Sequence, residues 1–467
     1  MIREFDTIAA IATGLSEGGI GIIRVSGPDA ISGVSSIFVN KNKKHSLVNY
    51  DSHTIHYGYI TDDNHIIDEV MISIFKAPNS YTKEDVVEIN CHGGIVILNQ
   101  IMNLVLSTGI RMADPGEFTK RAFLNGRIDL SRAEAVMDLI SAGNEFAARN
   151  SISALRGVIF DQVSALRKDV LYEIAYIESA LDDPEHISLE GYQEKLHIKL
   201  SDWLTRIDRI IINGRNGKKI SSGIRTAIVG KPNAGKSSIL NALLRENRAI
   251  VTDIEGTTRD TLEENVRIGD ISLLLIDTAG IRDSVDKVEK IGIEKSKQEI
   301  EKAELVLFVF DSSKELDDND RQIAMNIPSD KKGIILLNKS DLINDVQIES
   351  SVSELVKLLP SFSVIRTSAV SFDGIKELED KILSLFMGGK IKDCGDEVYM
   401  TNLRHIEAME NTRLSLSRVV DSIDHCMPED FLSIDLNDAY RYLGSIIGEE
   451  VSDDVIKEIF SKFCMGK

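Results

Sequence analysis

Gly230-Lys-Pro-Asn-Ala-Gly-Lys-Ser-Ser238 has the pattern G-x-x-x-x-G-K-S and lies in the middle of the chain. The apolar run Thr226-Ala-Ile-Val229 precedes it and Ile239-Leu-Asn-Ala-Leu-Leu244 follows it, so the local order is strand, loop, helix. That order separates a phosphate-binding loop from a glycine-rich turn without a ligand. The glycines let backbone N–H groups wrap a phosphate chain, and the helix N-terminus adds positive partial charge. Lys236 reaches the outer phosphates, and Ser237 can ligate magnesium. Asn233, Ala234, Gly235 and Ser238 complete the expected contacts of the loop.

Three downstream segments choose the base. Asp277-Thr-Ala-Gly280 follows the apolar run Ile271-Ser-Leu-Leu-Leu-Ile276. Asp277 can hold magnesium through water, Gly280 can offer a backbone N–H to the last phosphate, and Thr278 and Ala279 lie between them. Asn338-Lys-Ser-Asp341 follows Gly333-Ile-Ile-Leu-Leu337. Asp341 can accept from both the ring N–H and the exocyclic amine of guanine, a donor pair that adenine lacks. Lys339 belongs to the same motif. Thr367-Ser-Ala369 closes Phe362-Ser-Val-Ile-Arg366, so Ser368 and Ala369 would meet the guanine oxygen through backbone. Each segment sits at the end of an expected strand, which points to a GTPase with a doubly wound parallel sheet.

Gly256-Thr-Thr-Arg-Asp260 supplies the switch segment, with Thr258 as second magnesium ligand. The expected nucleotide contacts there are Thr252, Asp253, Ile254, Glu255, Gly256, Thr257 and Thr258. After Asp-Thr-Ala-Gly, where signalling GTPases carry a water-orienting glutamine, stands Ile281. An isoleucine cannot hydrogen-bond water, so turnover draws on other groups. Asn233 and the carbonyls of the turn Ala249–Ile254 could line an oxygen pocket for a hard monovalent cation. Such a cation would neutralise transition-state charge where other systems use an arginine finger. Glu289 is the candidate for orienting water; the alternative is a solvated switch residue.

The chain has 467 residues, enough for about three domains. Its 43% hydrophobic and 27% charged residues are ordinary for a soluble protein. No apolar run is long enough for a membrane span, and the first residues lack the regions of a signal peptide. Cys91, Cys394, Cys426 and Cys464 lie far apart and read as free thiols in a reducing cytosol. The net charge of −20 excludes a whole-surface nucleic-acid binder. RNA contact would need a local basic patch or a partner.

Residues 1–120 read as α+β, with strand-like runs at Asp6–Ala12, Gly21–Val25, Glu69–Phe75 and Val86–Asn90, and helices near Ala30–Phe38 and Ile95–Ser107. Residues 121–222 read as helical; Val163, Leu166, Val170, Ile174 and Ile177 share one face. Asn213–Gly223, polar and glycine-bearing, reads as a linker. The GTPase unit follows over 223–386, then a break at Met387–Lys390 and a second helical part over 387–467. The expected fold is therefore multidomain, α/β plus all-α: an α+β N-terminal domain and a helical domain interrupted by an inserted doubly wound P-loop GTPase domain. The tail carries Phe460, Phe463 and Cys464 and is apolar enough to dock.

Four blocks carry a resemblance. Asp6–Thr13 with Gly18–Gly27 is the first. Ser80–Glu88 with His92-Gly-Gly94 is the second. Pro115–Asn125, Asp129-Leu130 and Ala133-Glu-Ala135 form the third, and the final Cys-x-Gly-Lys is the fourth. Together these resemble the tRNA uridine-modifying GTPases of the MnmE (TrmE) family. The resemblance implies a homodimer whose N-terminal domain binds a 5-formyl- or methylene-tetrahydrofolate through Arg24, Glu88, Arg127 and Lys467. Arg24 suits the folate's glutamate tail and Glu88 its pterin N–H donors. Arg127 stands where the family often has lysine, and Gly14–Glu17 replaces a proline- and arginine-bearing segment. The resemblance also implies potassium held by Asn233 and by carbonyls of Thr252, Ile254 and Thr257, with Glu289 as the employed glutamate and Lys236 and Asn233 in catalytic roles. It implies cytoplasmic modification of the wobble uridine of certain tRNAs, with an FAD-bearing partner of the MnmG (GidA) family in a heterotetramer. The competing reading is a GTP-switched ribosome-assembly or RNA-binding protein; the N-terminal blocks and the tail argue against it.

Overall fold

The computed structural model describes residues 6–15, 17–40, 47–63, 65–246, 264–268, 271–275, 300–342, 348–387, 399–464 and 466. The chain forms two compact units: Met1–Met137 with Ala154–Leu200 and Asn411–Lys467, and Asp138–Ser153 with Ser201–Glu410.

The chain opens with β1 (Ile8–Ile11), β2 (Gly18–Ser26), α1 (Ala30–Ile37), β3 (Phe38–Asn40), β4 (Thr54–Asp62), β5 (His65–Phe75), β6 (Val86–Gly93), α2 (Ile95–Ser107) and β7 (Arg111–Met112). These strands form one seven-stranded sheet in the order β3-β4-β5-β6-β2-β1-β7. Strand alternation sends Ile23, Val25, Ile72, Ile74, Val87 and Ile89 into a core with Val34 of α1 and Leu98, Ile101 and Val105 of α2. The same alternation places Arg24 on the other face, and the antiparallel register sets it directly opposite Glu88.

Helices follow: α3 (Glu117–Leu124), α4 (Leu130–Ile140), α5 (Glu145–Leu155), α6 (Val158–Asp182) and α7 (Tyr192–Ser222). The expected face of α6 is buried, from Val163 through Leu166, Val170 and Ile174 to Ile177.

The second sheet is built from β8 (Ile224–Val229), α8 (Lys236–Glu246), β9 (Glu264–Ile268), β10 (Ile271–Leu275), β11 (Leu305–Asp311), α9 (Asp318–Met325), β12 (Lys332–Asn338), α10 (Ile348–Leu358), β13 (Ser363–Arg366) and α11 (Ile375–Met387). Its order is β13-β12-β11-β8-β10-β9, parallel except for the β9–β10 pair. Near-continuous apolar strands such as Leu305–Phe310 are what a sheet covered on both faces requires. β8 has β10 on one side and β11 on the other, so the loop after β8 opens at the switch point of a doubly wound sheet.

The last helices are α12 (Leu403–Asp424), α13 (Glu429–Ile447) and α14 (Asp453–Ser461). α13 packs along α6. Phe460 and Phe463 are buried in a cluster with Leu130, Ala133 and Ile456, so the tail is docked. Gly116 donates to the Cys464 carbonyl at 3.4 Å, and a Cβ on Gly116 would lie 2.6 Å from the Phe460 carbonyl oxygen.

One expectation is corrected. Asn213–Ser222 is not a linker: it is the last part of α7. Its glycines serve close approach, not freedom. A Cβ on Gly214 would lie 2.6 Å from the Met400 carbonyl oxygen, and one on Gly217 would lie 2.7 Å from the Tyr399 Cβ. α5 grips the same place. Asn150 donates to the Tyr399 carbonyl at 2.9 Å and accepts from the Tyr399 N–H at 2.8 Å. Asn144 donates to the Ile220 carbonyl at 2.9 Å, and Phe146 enters the core with Ile220 and Ile224. The break expected at Met387–Lys390 lies, from Gly388 onward, outside the described residues.

Candidate functional site: a phosphate loop and a second cluster

β8 ends at Val229 and α8 begins at Lys236, so the loop between them is short and must turn tightly. Gly230 takes φ 149° with the Val309 carbonyl where its Cβ would be, at 2.3 Å. Asn233 and Gly235 are left-handed, at φ 65° and 96°. A non-glycine residue held there is uncommon and turns its backbone amide and side chain in directions a right-handed residue could not. Lys236 donates from Nζ to the carbonyls of Gly230 and Lys231, each at 2.8 Å. Burial pushes its ammonium pKa down. Two neutral carbonyls take two of its three protons without cancelling its charge, which suits exchange for phosphate oxygens.

One of the segments expected to read guanine meets the loop. Asn338, at the end of β12, donates from Nδ2 to the Ala234 carbonyl at 2.8 Å. A Cβ on Gly235 would lie 2.0 Å from that Nδ2, so the glycine makes room for the asparagine. The buried Oδ1 of Asn338 has no partner among the described residues. Lys339, at φ 63°, pairs with Asp311 at 2.6 Å. Asp341 is exposed on the turn Ser340–Leu342. Ser368 is fully buried, and its Oγ accepts from the N–H groups of Val370 and Ser371 at 3.3 and 3.2 Å, shaping the loop that carries Ala369. Ser237 stands in the first turn of α8, and Ser238 follows it. The expected residues Thr252, Asp253, Ile254, Glu255, Gly256, Thr257, Thr258, Asp277, Thr278, Ala279, Gly280 and Glu289 lie outside the described residues, as does Lys467.

A second cluster lies in the first unit. Arg24 binds Glu88 through Nε at 2.9 Å and Nη2 at 2.7 Å. Its Nη1 donates to the Gly466 carbonyl at 3.4 Å, which brings the docked tail to the sheet. Two guanidiniums lie over the Tyr81 ring, that of Arg24 5.3 Å and that of Arg127 4.7 Å from its centroid. Its hydroxyl is 2.9 Å from Thr119 Oγ1. Arg24, Glu88 and Arg127 thus come together around an aromatic ring. Sequence reasoning did not single out Tyr81. It also missed Lys231, which forms ion pairs with Asp317 and Asp320, and the grip of Asn338 on the loop.

Residues 130–464 match the model of the MnmE helical domain, and residues 7–127 match that of the GTP-binding protein TrmE N-terminus. The chain belongs to the MnmE family. Among its MnmE relatives, the tRNA modification GTPase MnmE of Lachnoclostridium phytofermentans is 51% identical over 462 residues, covering 99% of each chain. That of Streptococcus thermophilus is 45% identical over 466 residues, covering 100% of this chain and 99% of its own. That of Enterococcus faecalis is 44% identical over 467 residues, covering 99% of each. Among the described residues, Cys91, Cys426 and Cys464 of this MnmE-family chain are free thiols. No helix among them is long and apolar enough to cross a membrane.

Proposed function

We propose that this chain is a potassium-stimulated GTPase that takes part in adding an aminomethyl or carboxymethylaminomethyl group to C5 of the wobble uridine of certain tRNAs. Its membership of the MnmE family makes it a GTP hydrolase of tRNA modification. The observation that carries the GTPase assignment is the loop itself, with Lys236 held on two carbonyls and Asn338 locking Ala234.

On this reading Lys236 leaves the carbonyls of Gly230 and Lys231 for phosphate oxygens. The bonds to the carbonyls are charged on the donor side only; phosphate oxygens bring an opposite charge on the acceptor side as well. Asp341 accepts from guanine's two donors, and adenine leaves that carboxylate unpaired. Asn338 ties base recognition to the phosphate loop. Ser237 and Thr258 would hold magnesium; Asn233 with the carbonyls of Thr252, Ile254 and Thr257 would hold potassium. Bound there, the two cations supply charge neutralisation at the phosphates. The left-handed Asn233 supports its part of this reading, since a side-chain oxygen at the crest of the loop is available to a cation. Glu289 orients the attacking water, in place of the glutamine that Ile281 cannot replace.

The Arg24–Glu88–Tyr81–Arg127 cluster is where we place the one-carbon tetrahydrofolate, with Lys467. An aromatic ring with two cations and a carboxylate close by suits a flat heteroaromatic ring joined to an anionic tail. The folate supplies the carbon unit. A homodimer, tRNA and an FAD-bearing partner of the MnmG family in a heterotetramer complete the cytoplasmic system. We also read 223–386 as a GTPase domain inserted into the helical domain; the contact of Tyr399 and Met400 with Gly217 and Gly214 supports that arrangement.

The deciding experiment is the tRNA nucleoside profile of a gene-deletion strain. Loss of the wobble-uridine modification, restored by the wild-type gene, is expected. An unchanged profile would overturn the assignment and favour a ribosome-assembly role.

A further inference from the structure

We infer that Lys231 is a positioning residue of the GTP site: it ties the start of the phosphate loop to the N-terminus of α9 and thereby holds Lys236 ready. The inference rests on the reading of Gly230–Ser238 as the GTP loop. A lysine in the phosphate loop invites assignment as a direct phosphate ligand, but its surroundings assign it differently. Its Nζ lies 2.8 Å from Asp317 Oδ2 and 2.7 Å from Asp320 Oδ2, and the side chain is largely buried. The two carboxylates take up its charge.

Those carboxylates are themselves built into the helix start. Asp317 is the N-cap of α9 and accepts from the N–H groups of Asn319 and Asp320. Asp320 closes the capping box, accepting from the Asp317 N–H at 3.3 Å. Asp320 is 1% exposed, and its Oδ1 has no partner among the described residues. A buried carboxylate in this position needs a cation close by, and Lys231 supplies it. A flexible surface pair would place little constraint on the backbone; a pair with one fully buried partner constrains it strongly.

The backbone of Lys231 faces the chemistry. Its carbonyl accepts from Lys236 Nζ at 2.8 Å and from the Ala234 N–H at 3.3 Å. One residue therefore has its side chain anchored on α9 and its carbonyl anchoring both the reactive lysine and the turn of the loop. Releasing the anchor lets the loop lose its preformed arch. Nucleotide must then order the loop on binding, which weakens affinity for GTP and GDP alike.

The test measures equilibrium binding of fluorescent GTP and GDP analogues, with kcat, for wild type, Lys231→Met, Lys231→Arg, Asp320→Asn and the Lys231→Met/Asp320→Asn double variant. Lys231→Met is expected to weaken both nucleotides about tenfold and to lower kcat, since misplacement of reacting groups is costly. Lys231→Arg keeps the charge and should recover most of the affinity. The double variant should be no worse than the more damaging single one, because both break one link. Wild-type affinity and turnover in Lys231→Met, or losses that multiply in the double variant, overturn the inference. Should Lys231→Met fail to fold, Asp320→Asn decides: weakened nucleotide binding with an unchanged melting curve supports the link, and wild-type affinity overturns it. A wild-type protein that bound no GTP would instead sink the reading of the site on which this rests.

Discussion

Lys236 and Arg24 are both cations that the chain holds on its own acceptors, but the acceptors differ. Lys236 rests on two neutral carbonyls and has no ion-pair partner among the described residues. Arg24 rests on the carboxylate of Glu88, with both side chains about one-fifth exposed, and is already neutralised. A site of the first kind attracts any polyanion of the right shape, and its selectivity must come from elsewhere, on the proposed reading from Asn338 and Asp341. A site of the second kind rewards only a ligand that can satisfy both members of the pair. The phosphate loop and the Arg24–Glu88 cluster thus have opposite electrostatic designs within one chain.

The largest expected effect tests the charge of Lys236. Lys236→Ala should lower GTP hydrolysis by about 10³-fold in a steady-state phosphate-release assay, with loss of nucleotide affinity. A modest change would mean that the loop binds phosphate without its lysine and that the contrast with Arg24 is false. Next comes Glu289→Ala. Turnover should fall about 10²-fold while nucleotide affinity, read by fluorescence titration, stays near wild type. Replacing potassium by sodium should slow wild-type turnover by about tenfold or more; equal rates would remove the cation from the account.

The paired site gives smaller, asymmetric effects. Arg24→Ala should weaken tetrahydrofolate binding in calorimetry about tenfold and leave GTP turnover unchanged. Glu88→Gln should weaken it less, because the amide can still accept from Arg24 while losing only the charge. Equal losses from both would show that the pair acts as one unit. The smallest effect is on stability: Asn150→Ala removes two hydrogen bonds to Tyr399 and should cost about 1–3 kcal/mol by denaturant melting.

Much of this was legible in the chain. The loop pattern, the apolar strands before Asp277 and Asn338, and the helical face of α6 all depend on short-range spacing, and spacing is what a sequence displays. What hid were residues whose roles are set by distant neighbours. Gly214 and Gly217 read as a linker because glycine and asparagine usually break helices; the close approach of Tyr399 and Met400 reverses the meaning, and neither is near in sequence. Tyr81 is one aromatic residue among many until Arg24 and Arg127 come to lie over its ring. Lys231 draws no notice in the sequence until Asp320 appears beside it. The switch contacts, Glu289 and Lys467 rest on sequence alone.

The clasp of Asn150 on Tyr399, beside Gly217, has a consequence for the chain as a thread. The polypeptide departs from α7 and comes back to touch it at the same spot. If 223–386 is an inserted unit, as proposed above, the stretch between is a bight gathered at its neck. On that reading a change in the length of the bight need not alter the path of the cord on either side, and a pull transmitted through it would reach α7 and α5 at this knot among others.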